Sequence, residues 1–248
     1  MSIEQNLEDQ IRGFDRKESE YPTQKSLQSN KDLGLLFSPR NIIQGMRLLM
    51  PDIFRLNRRQ EISILEVGCG CAADTIILLR MAGFSASMGI DLSSNRVESG
   101  RKIAASFNID PECIQKKSIQ DFIAQGGSFD LVIGQCILHH FVKYGSFLES
   151  ISSILKPGGR FIFYEPAIHP FRFFSFHYDF RKGEFIQNSP CEEIFVNPFK
   201  IKKAVARAGF KNCRVFSNFY NYRLTAAFKD VPLLKYAGPS VYIYGEKN

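Results

Sequence analysis

The sequence lacks several features that would place it in a specialised class of protein. No apolar run approaches the roughly 20 residues that a membrane-spanning helix needs. The first twenty residues, MSIEQNLEDQIRGFDRKESE, contain no apolar stretch of the kind found in a secretory leader. The six cysteines form no CxxC pair, which disfavours zinc and disulfide roles. We therefore expect buried, reduced thiols, no metal and a cytoplasmic protein.

Composition is that of an ordinary globular protein, with 44% hydrophobic and 23% charged residues in 248. This length suits one α/β domain with additional segments around its core. The net charge of +7 is uneven, because residues 167–248 carry 13 basic and 6 acidic side chains. Such an excess is more often a solvated face than a binding surface. An anionic partner or a peripheral contact with a membrane surface remains open.

Apolar runs and helical segments alternate from residue 61 onwards. Strands are expected over Ile62–Val67, Ser85–Ile90, Cys113–Lys117, Asp130–Gly134 and Phe161–Tyr164. Helices are expected over Arg40–Met50, Ala72–Met81, Ser93–Phe107 and Tyr144–Leu155, with a turn at Lys156–Arg160. Strands and helices that alternate five times predict a doubly wound, mostly parallel sheet. Such sheets bind ligands at the carboxyl ends of their strands, so candidate residues are sought there.

The chain is predicted to form a single domain, 1–248, with four parts. Residues 1–60 form an N-terminal helical arm or lid, 61–166 the ligand-binding core, and 167–199 a cap with eight phenylalanines. Residues 200–248 supply a C-terminal helix and edge strands. The expected elements there are a helix at Phe199–Ala208, strands at Lys211–Tyr220 and Val241–Gly245, and a connection over 221–240.

A glycine-rich turn, Leu65-Glu66-Val67-Gly68-Cys69-Gly70-Cys71-Ala72, follows the first strand. Glycines let the backbone turn tightly and approach a ligand at a helix N-terminus. Read as the pattern G-x-G-x-x-A, with Gly68, Gly70 and Ala73, the turn also nearly fits the motif of a nicotinamide dinucleotide site. However, Glu66 at the strand end suits the ammonium of an amino-acid-like ligand better than a pyrophosphate. Asp91 ends the next strand, where an acid accepts from both ribose hydroxyls.

With Phe129–Ile133, Gln135–His140 and Leu155–Arg160, these segments resemble the class I S-adenosylmethionine-dependent methyltransferases of small-molecule type. The resemblance covers residues 60–166, and extends more loosely to Gly209-Phe210 and the last strand. It implies the Rossmann-like methyltransferase fold, with seven strands, N-terminal helices and a Phe-rich cap insertion. It also implies S-adenosyl-L-methionine as cofactor and S-adenosyl-L-homocysteine as product.

The resemblance also implies residue roles. The methionine part of the cofactor would be surrounded by Glu66, Gly68, Cys69 and Gly70. Asp91 would accept from the ribose hydroxyls and Leu92 would pack on the adenine. Ser118 and Ile119 would read the adenine edge, and Gln135 would lead to the acceptor pocket. The sequence departs from the family's pattern at two positions. Ala72 stands where the family has the usual third small residue of its first motif. Ser118 stands where an aspartate is often found after the third strand, and Asp121 follows three residues later.

Methyl transfer needs a base only if the acceptor carries a proton to lose. The candidates for this base are His139 and His140 after the fourth strand, Glu165 at the end of the fifth, and His169 soon after. Glu165 is also a candidate for contact with the acceptor. Other candidates in the insertion are His177, Tyr178 and Asp179. The Phe-rich insertion either fixes a cap onto the sheet or lines a pocket for an apolar or aromatic acceptor.

Nucleic acid is disfavoured as the substrate, because no Asn-Pro-Pro-Tyr-like segment follows the fourth strand. The favoured function is therefore methyl transfer to an O or N atom of a small molecule. An alternative is a protein that binds S-adenosylmethionine but catalyses another step or acts without turnover. An NAD(P)-dependent oxidoreductase is less favoured, and the oligomeric state stays open.

Overall fold

The computed structural model describes residues 39–55, 59–70, 73–141, 144–166, 178–179, 184–185, 196–219, 222–231, 236, 238 and 240–248. Predictions for the first 38 residues and most of the cap lie outside this part of the chain. The same holds for Cys71, Ala72, His169, His177 and Cys191.

Seven strands form one sheet, and helices cover both of its faces. The helices are α1 (Pro39–Leu49), α2 (Asp74–Met81), α3 (Ser94–Ser106), α4 (Ile119–Ala124), α5 (Tyr144–Ile154), α6 (Pro198–Arg207) and α7 (Tyr222–Phe228). The strands are β1 (Ile64–Val67), β2 (Ser87–Asp91), β3 (Ile114–Lys116), β4 (Phe129–Gln135), β5 (Leu155–Pro166), β6 (Tyr178–Asp179), β7 (Glu184–Phe185), β8 (Phe210–Asn218) and β9 (Ser240–Lys247). Among the described strands, the short β6 and β7 pair only with each other.

The strand order in the main sheet is β3-β2-β1-β4-β5-β9-β8. Pairs from β3 to β5 are parallel, whereas β9 runs antiparallel to both β5 and β8. The prediction of a doubly wound, mostly parallel seven-stranded sheet is confirmed. Because β1 and β4 are adjacent while the chain turns back from β3 to β4, the strand order reverses between them. The carboxyl ends of β1, β2, β4 and β5 therefore meet at the edge where such sheets bind ligands.

The two faces of the sheet bury separate apolar clusters. One contains residues of α4, α5 and α6, and the other contains residues of α1, α2 and α3. Helix α1 packs closely because a Cβ on Gly45 would lie 2.6 Å from the Tyr242 ring and 2.7 Å from Ile162. At the start of this helix, the Tyr242 hydroxyl donates to the Asn41 carbonyl over 2.7 Å. These contacts hold α1 against the strands that carry the site.

Three local features differ from the sequence prediction. The pairing of β4 with β5 jumps from Phe129–Leu155 to Leu131–Arg160, so the predicted turn at Lys156–Arg160 is a bulge inside a longer strand. Residues 221–240 contain helix α7, which the prediction missed. Thr225 of this helix is fully buried, and its hydroxyl donates to Asn218 Oδ1 over 3.2 Å. The short helix α4 was also missed.

None of the described helices is long and apolar enough to cross a membrane.

Candidate active site

Glu66 lies near the end of the central strand β1 and is only 4% exposed. Burial raises the pKa of its carboxyl to about 8, and the charges of Asp74 and Asp91 act in the same direction. Hydrogen bonds from the Thr75 hydroxyl and the Ile76 amide partly oppose this shift. These two groups belong to the first turn of α2, so the Glu66 carboxyl lies against the N-terminus of that helix. Among the described residues, its Oε2 has no hydrogen-bond partner.

The glycine turn that follows β1 is fastened to the end of β2. The amides of Gly68 and Cys69 both donate to the Ile90 carbonyl, over 2.8 and 3.0 Å. Gly68 and Gly70 adopt φ values of +70° and +67°, which favour glycine. A Cβ on Gly68 would also lie 2.8 Å from Ile137. The turn therefore needs a glycine at this position for both conformation and space.

Asp91, at the end of β2, is 8% exposed and joins the glycine turn to α3. Its Oδ2 accepts from the Gly70 amide and its Oδ1 from the Ser93 amide, both over 3.0 Å. Ser93 in turn caps α3, because its hydroxyl accepts from the Arg96 amide. A carboxylate oxygen has room for more than one hydrogen bond, so Asp91 keeps acceptor capacity for a hydroxyl.

The charge around this turn selects the kind of ligand. Glu66, Asp74 and Asp91 place three carboxyl groups around it, and burial raises the pKa of Asp74 as well. The amides of Gly68, Cys69 and Gly70 already have acceptors. A pyrophosphate would need free amides and would meet the Asp91 carboxylate, whereas a cationic ligand would be attracted by Asp91 and would favour the ionised form of Glu66. The geometry therefore favours an ammonium-bearing nucleoside over a dinucleotide.

A second buried carboxylate fixes the segment that follows β4. Glu165, near the end of β5, is fully buried, and its Oε1 accepts from the amides of Ile137 and Leu138, each over 2.8 Å. Those amides open the short 3₁₀ turn Leu138–His140. The contact with the acceptor predicted for Glu165 stays a prediction. The observed contacts make Glu165 a positioning residue for the turn that carries both histidines.

The backbone between β4 and this turn is constrained. Cys136 has a φ of +54°, an uncommon conformation for a residue with a side chain. Its amide donates to the Tyr164 carbonyl over 2.8 Å. Gly134 has no space for a Cβ, because Phe163 would lie 2.7 Å away. Unfavourable backbone that is held in place by its surroundings is frequent at functional sites.

The other predicted site residues lie at the same edge of the sheet. His140 is half-buried and its amide donates to the Ile137 carbonyl over 3.2 Å, while His139 precedes it in the turn. Leu92 and Gln135 are half-buried at the ends of β2 and β4. Ile119 is 6% exposed and packs in the core. The predicted roles of the histidines as bases and of the other residues at the cofactor stay predictions.

Ser118 has a structural task that its sequence position did not reveal. Its hydroxyl caps α4 by accepting from the Asp121 amide, and the Asp121 carboxylate accepts from the Ser118 amide over 2.7 Å. The pattern Ser-x-x-Asp ahead of an apolar run is the signal that could have predicted this cap. Thr75 and Asp74 were also missed, because their role depends on the proximity of α2 to Glu66.

Comparison with known proteins agrees with this geometry. The family model of the methyltransferase domain matches residues 58–214, which is more than half of the chain. The chain belongs to this methyltransferase family. A methyltransferase of this fold uses S-adenosylmethionine, and the solved structure of magnesium protoporphyrin IX methyltransferase from Synechocystis holds S-adenosylhomocysteine.

Solved methyltransferases share the fold at low sequence identity. The Synechocystis enzyme has a TM-score of 0.55 at 16% identity, with 85% of this chain and 83% of that chain covered. An S-adenosylmethionine-dependent methyltransferase from Aquifex aeolicus has a TM-score of 0.55 at 14% identity, covering 92% and 99% of the two chains. Identity at this level shows the fold alone.

Curated relatives match over shorter stretches. A malonyl-[acyl-carrier protein] O-methyltransferase from Priestia megaterium is 27% identical over 166 residues, which is 58% of either protein. A sterol 4-C-methyltransferase from Caenorhabditis elegans is 26% identical over 113 residues, which is 45% of this chain and 33% of that protein. The chain thus spans between a third and three fifths of these two relatives.

The residues of the site fit the methyltransferase cofactor. S-adenosylmethionine carries an ammonium and a sulfonium, and Glu66 offers a buried carboxylate oxygen that has no partner among the described residues. Asp91 offers a carboxylate at the point where a ribose binds in this fold. No cluster of metal-binding side chains occurs in the described ranges, and none is needed to hold these groups.

The pKa of Glu66 predicts how stability depends on pH in the cofactor-free protein. The folded protein keeps this carboxyl protonated up to about pH 8, whereas the unfolded chain releases the proton near the ordinary value of 4.5. The folded state therefore binds more protons in this window, and stability falls as the pH rises through it. Glu66→Gln should remove this fall, so that the variant gains up to a few kcal/mol over the wild type by about pH 8.

Urea unfolding at a series of pH values measures this difference. Glu98→Gln is the matched control, because Glu98 is exposed on α3 and Lys102 lowers its pKa, so that it titrates below this window and should leave the pH dependence within it unchanged. Parallel stability curves for the wild type and Glu66→Gln would contradict the raised pKa.

The hydrogen bonds of Glu165 predict that its variants lose stability to different degrees. Glu165→Ala leaves two amides without their acceptor, and each buried orphan costs about 1–3 kcal/mol. We expect the free energy of unfolding to fall by about 2–5 kcal/mol. Glu165→Gln keeps a carbonyl oxygen and should lose about 1 kcal/mol. Denaturant unfolding measures both variants, and equal losses would show that charge rather than the acceptor atom matters.

Proposed function

We propose that the protein transfers a methyl group from S-adenosylmethionine to an oxygen or nitrogen atom of a small, apolar or aromatic acceptor. The proposal depends above all on the buried Glu66 carboxylate beside the glycine turn, in surroundings that suit a cation and oppose a pyrophosphate. The expected cytoplasmic location is part of the same proposal.

In this proposal each strand end has a separate task in binding. Glu66 holds the ammonium of the cofactor and Asp91 accepts from the ribose hydroxyls. Gly68 and Gly70 keep the turn close to the ligand, and Cys69 lies between them. Leu92, Ile119 and Ser118 flank the adenine, and Gln135 lies between the cofactor and the acceptor. When bound, the cofactor supplies an electrophilic methyl group.

The protein contributes mainly by positioning. Holding an acceptor in line with a reactive carbon can lower a barrier by about 7–11 kcal/mol in favourable cases. Glu165 supports this by fixing the turn that carries His139 and His140. Only an acceptor that must lose a proton needs a base, and a histidine suits that task near neutral pH. We propose His140 as this base, with His139 as the second candidate.

An apolar acceptor agrees with Phe141, the half-buried aromatic side chain that directly follows His140. The Phe141 ring lies 4.2 Å from the ring of Phe147, which is buried in the core with Phe163. The names of relatives specify a sterol and a malonyl group as acceptors, at carbon and oxygen respectively. An acceptor panel should therefore include apolar carboxylic acids, phenols and amines, with carbon acceptors as the contrasting class.

Two alternatives make different predictions. An oxidoreductase would bind NADH, which the acidic turn opposes. A protein that binds S-adenosylmethionine without methyl transfer would bind S-adenosylhomocysteine but form no methylated product with any acceptor. Binding and turnover are therefore measured separately.

Asp91→Ala should weaken the binding of S-adenosylhomocysteine about 10- to 100-fold, because hydrogen bonds to a charged group contribute about 1.5–3 kcal/mol. Isothermal titration calorimetry measures the affinity, with Glu98→Gln on the exposed face of α3 as the control. Unchanged affinity for Asp91→Ala would remove Asp91 from the site. Binding of NADH by the wild type would favour the oxidoreductase instead.

His140→Ala should lower kcat about 100-fold or more with an acceptor that loses a proton, since general-base catalysis contributes about that much. The affinity for S-adenosylhomocysteine should stay within about twofold if His140 acts only on the acceptor. Mass spectrometry of the methylated product gives the rate, and calorimetry gives the affinity. A parallel loss of both would assign His140 to structure or to cofactor binding.

A further inference from the structure

The edge of the sheet formed by β8 has a strongly one-sided charge. From residue 194 to residue 229 the sequence has no Asp or Glu, but it has eight basic residues: Lys200, Lys202, Lys203, Arg207, Lys211, Arg214, Arg223 and Lys229. All but Lys229 have exposed side chains. The apolar side of α6, with Ile201 and Val205, is buried against the sheet. The lysines of this helix therefore project from the sheet.

Three of these cations line one shallow cavity on the edge of β8. Lys202 comes from α6, Arg214 from β8 and Lys229 from the end of α7, and Asp230 is the one carboxylate among the described lining residues. Asp230 pairs with Lys229. Within the described residues, Lys202 and Arg214 have no ion-pair partner. The cavity is thus concave and positive, which suits the phosphate of a lipid headgroup.

Exposed apolar side chains accompany these cations. Phe199 is 63% exposed, and its ring lies 4.8 Å from that of Tyr236, which lines the same cavity. Val231, directly after Asp230, is 37% exposed. Together, Lys202, Arg214, Lys229, Phe199, Tyr236 and Val231 form what we call the β8-edge face. Cations beside protruding aromatic and aliphatic groups are typical of surfaces that bind at a membrane interface.

We propose that the β8-edge face docks the protein onto an anionic phospholipid surface. The positive cavity would hold headgroup phosphates while Phe199 enters the interface. Moving aliphatic and aromatic side chains from water into a membrane interface is favourable, whereas a nucleic acid backbone offers them no comparable contact. This docking goes beyond the proposed methyl transfer and does not require it.

The position of this face suits such docking. Helix α6 begins beside the end of β5, because the Val196 amide donates to the Pro166 carbonyl over 3.1 Å. The face therefore starts at the same edge of the sheet as the candidate active site. Each Lys or Arg near an anionic membrane contributes about 1 kcal/mol, so three cations and one aromatic side chain support reversible binding.

Sedimentation with vesicles tests the proposal on the full chain. Wild-type protein should sediment with vesicles of phosphatidylcholine and phosphatidylglycerol, but not with phosphatidylcholine alone, and salt should release it. The variant K202Q/R214Q/K229Q should bind about 100-fold more weakly. The control R47Q/R55Q/K102Q has the same net charge but changes exposed cations elsewhere, and it should bind like the wild type.

A second variant tests whether the Phe199 ring inserts into the lipid or whether electrostatic attraction alone accounts for binding. Phe199→Ser should lower binding to the anionic vesicles several-fold, because the Phe199 ring of the wild type is removed from water when the protein is bound. Circular dichroism first establishes that each variant is folded. The proposal is overturned if the wild type does not bind anionic vesicles at low salt, if both triple variants weaken binding equally, or if Phe199→Ser changes nothing. Asp91→Ala should sediment like the wild type, so failure of the proposed function stays distinguishable.

Discussion

The site depends on a carboxylate that is buried at the end of the central strand. Glu66 on β1 lies against the first turn of α2, while one of its oxygens has no partner among the described residues. Burial without full pairing is unfavourable for a charged group, which is why its pKa rises. A cation that binds there would supply the missing interaction. The same group thus links the local stability of the core to the preference for a positively charged ligand.

Three strand ends at the same edge of the sheet use carboxylates for different purposes. Glu66 on β1 leaves an oxygen for a ligand, and Asp91 on β2 fastens the glycine turn and α3 through backbone amides. Glu165 on β5 holds the backbone after β4. The loops of the site are therefore fixed to the sheet by charged acceptors. This preorganisation suits a reaction in which positioning provides most of the acceleration.

Sequence patterns predicted most of the parallel half of the sheet. Apolar runs that end in Gly68 and Asp91 indicated β1 and β2, because buried parallel strands are continuously apolar and their ends carry polar groups. The helix predicted over Ser93–Phe107 is α3, with Ser93 as its N-cap. The bulge after Leu155 and helix α7 were not predicted. The bulge depends on the register between β4 and β5, and α7 depends on contacts with β8, where the buried Thr225 hydroxyl donates to Asn218.

The sequence by itself determined the fold class, the order of strands and helices in the core, and the identity of the glycine turn with its acidic neighbours. These follow from local periodicity and from residue types that suit a position in the chain. Only the tertiary structure decided what each acid contacts. Glu165 meets the amides of Ile137 and Leu138 across 28 and 27 residues of sequence. Such tasks depend on which backbone atoms packing brings within hydrogen-bond distance, and no local pattern encodes that.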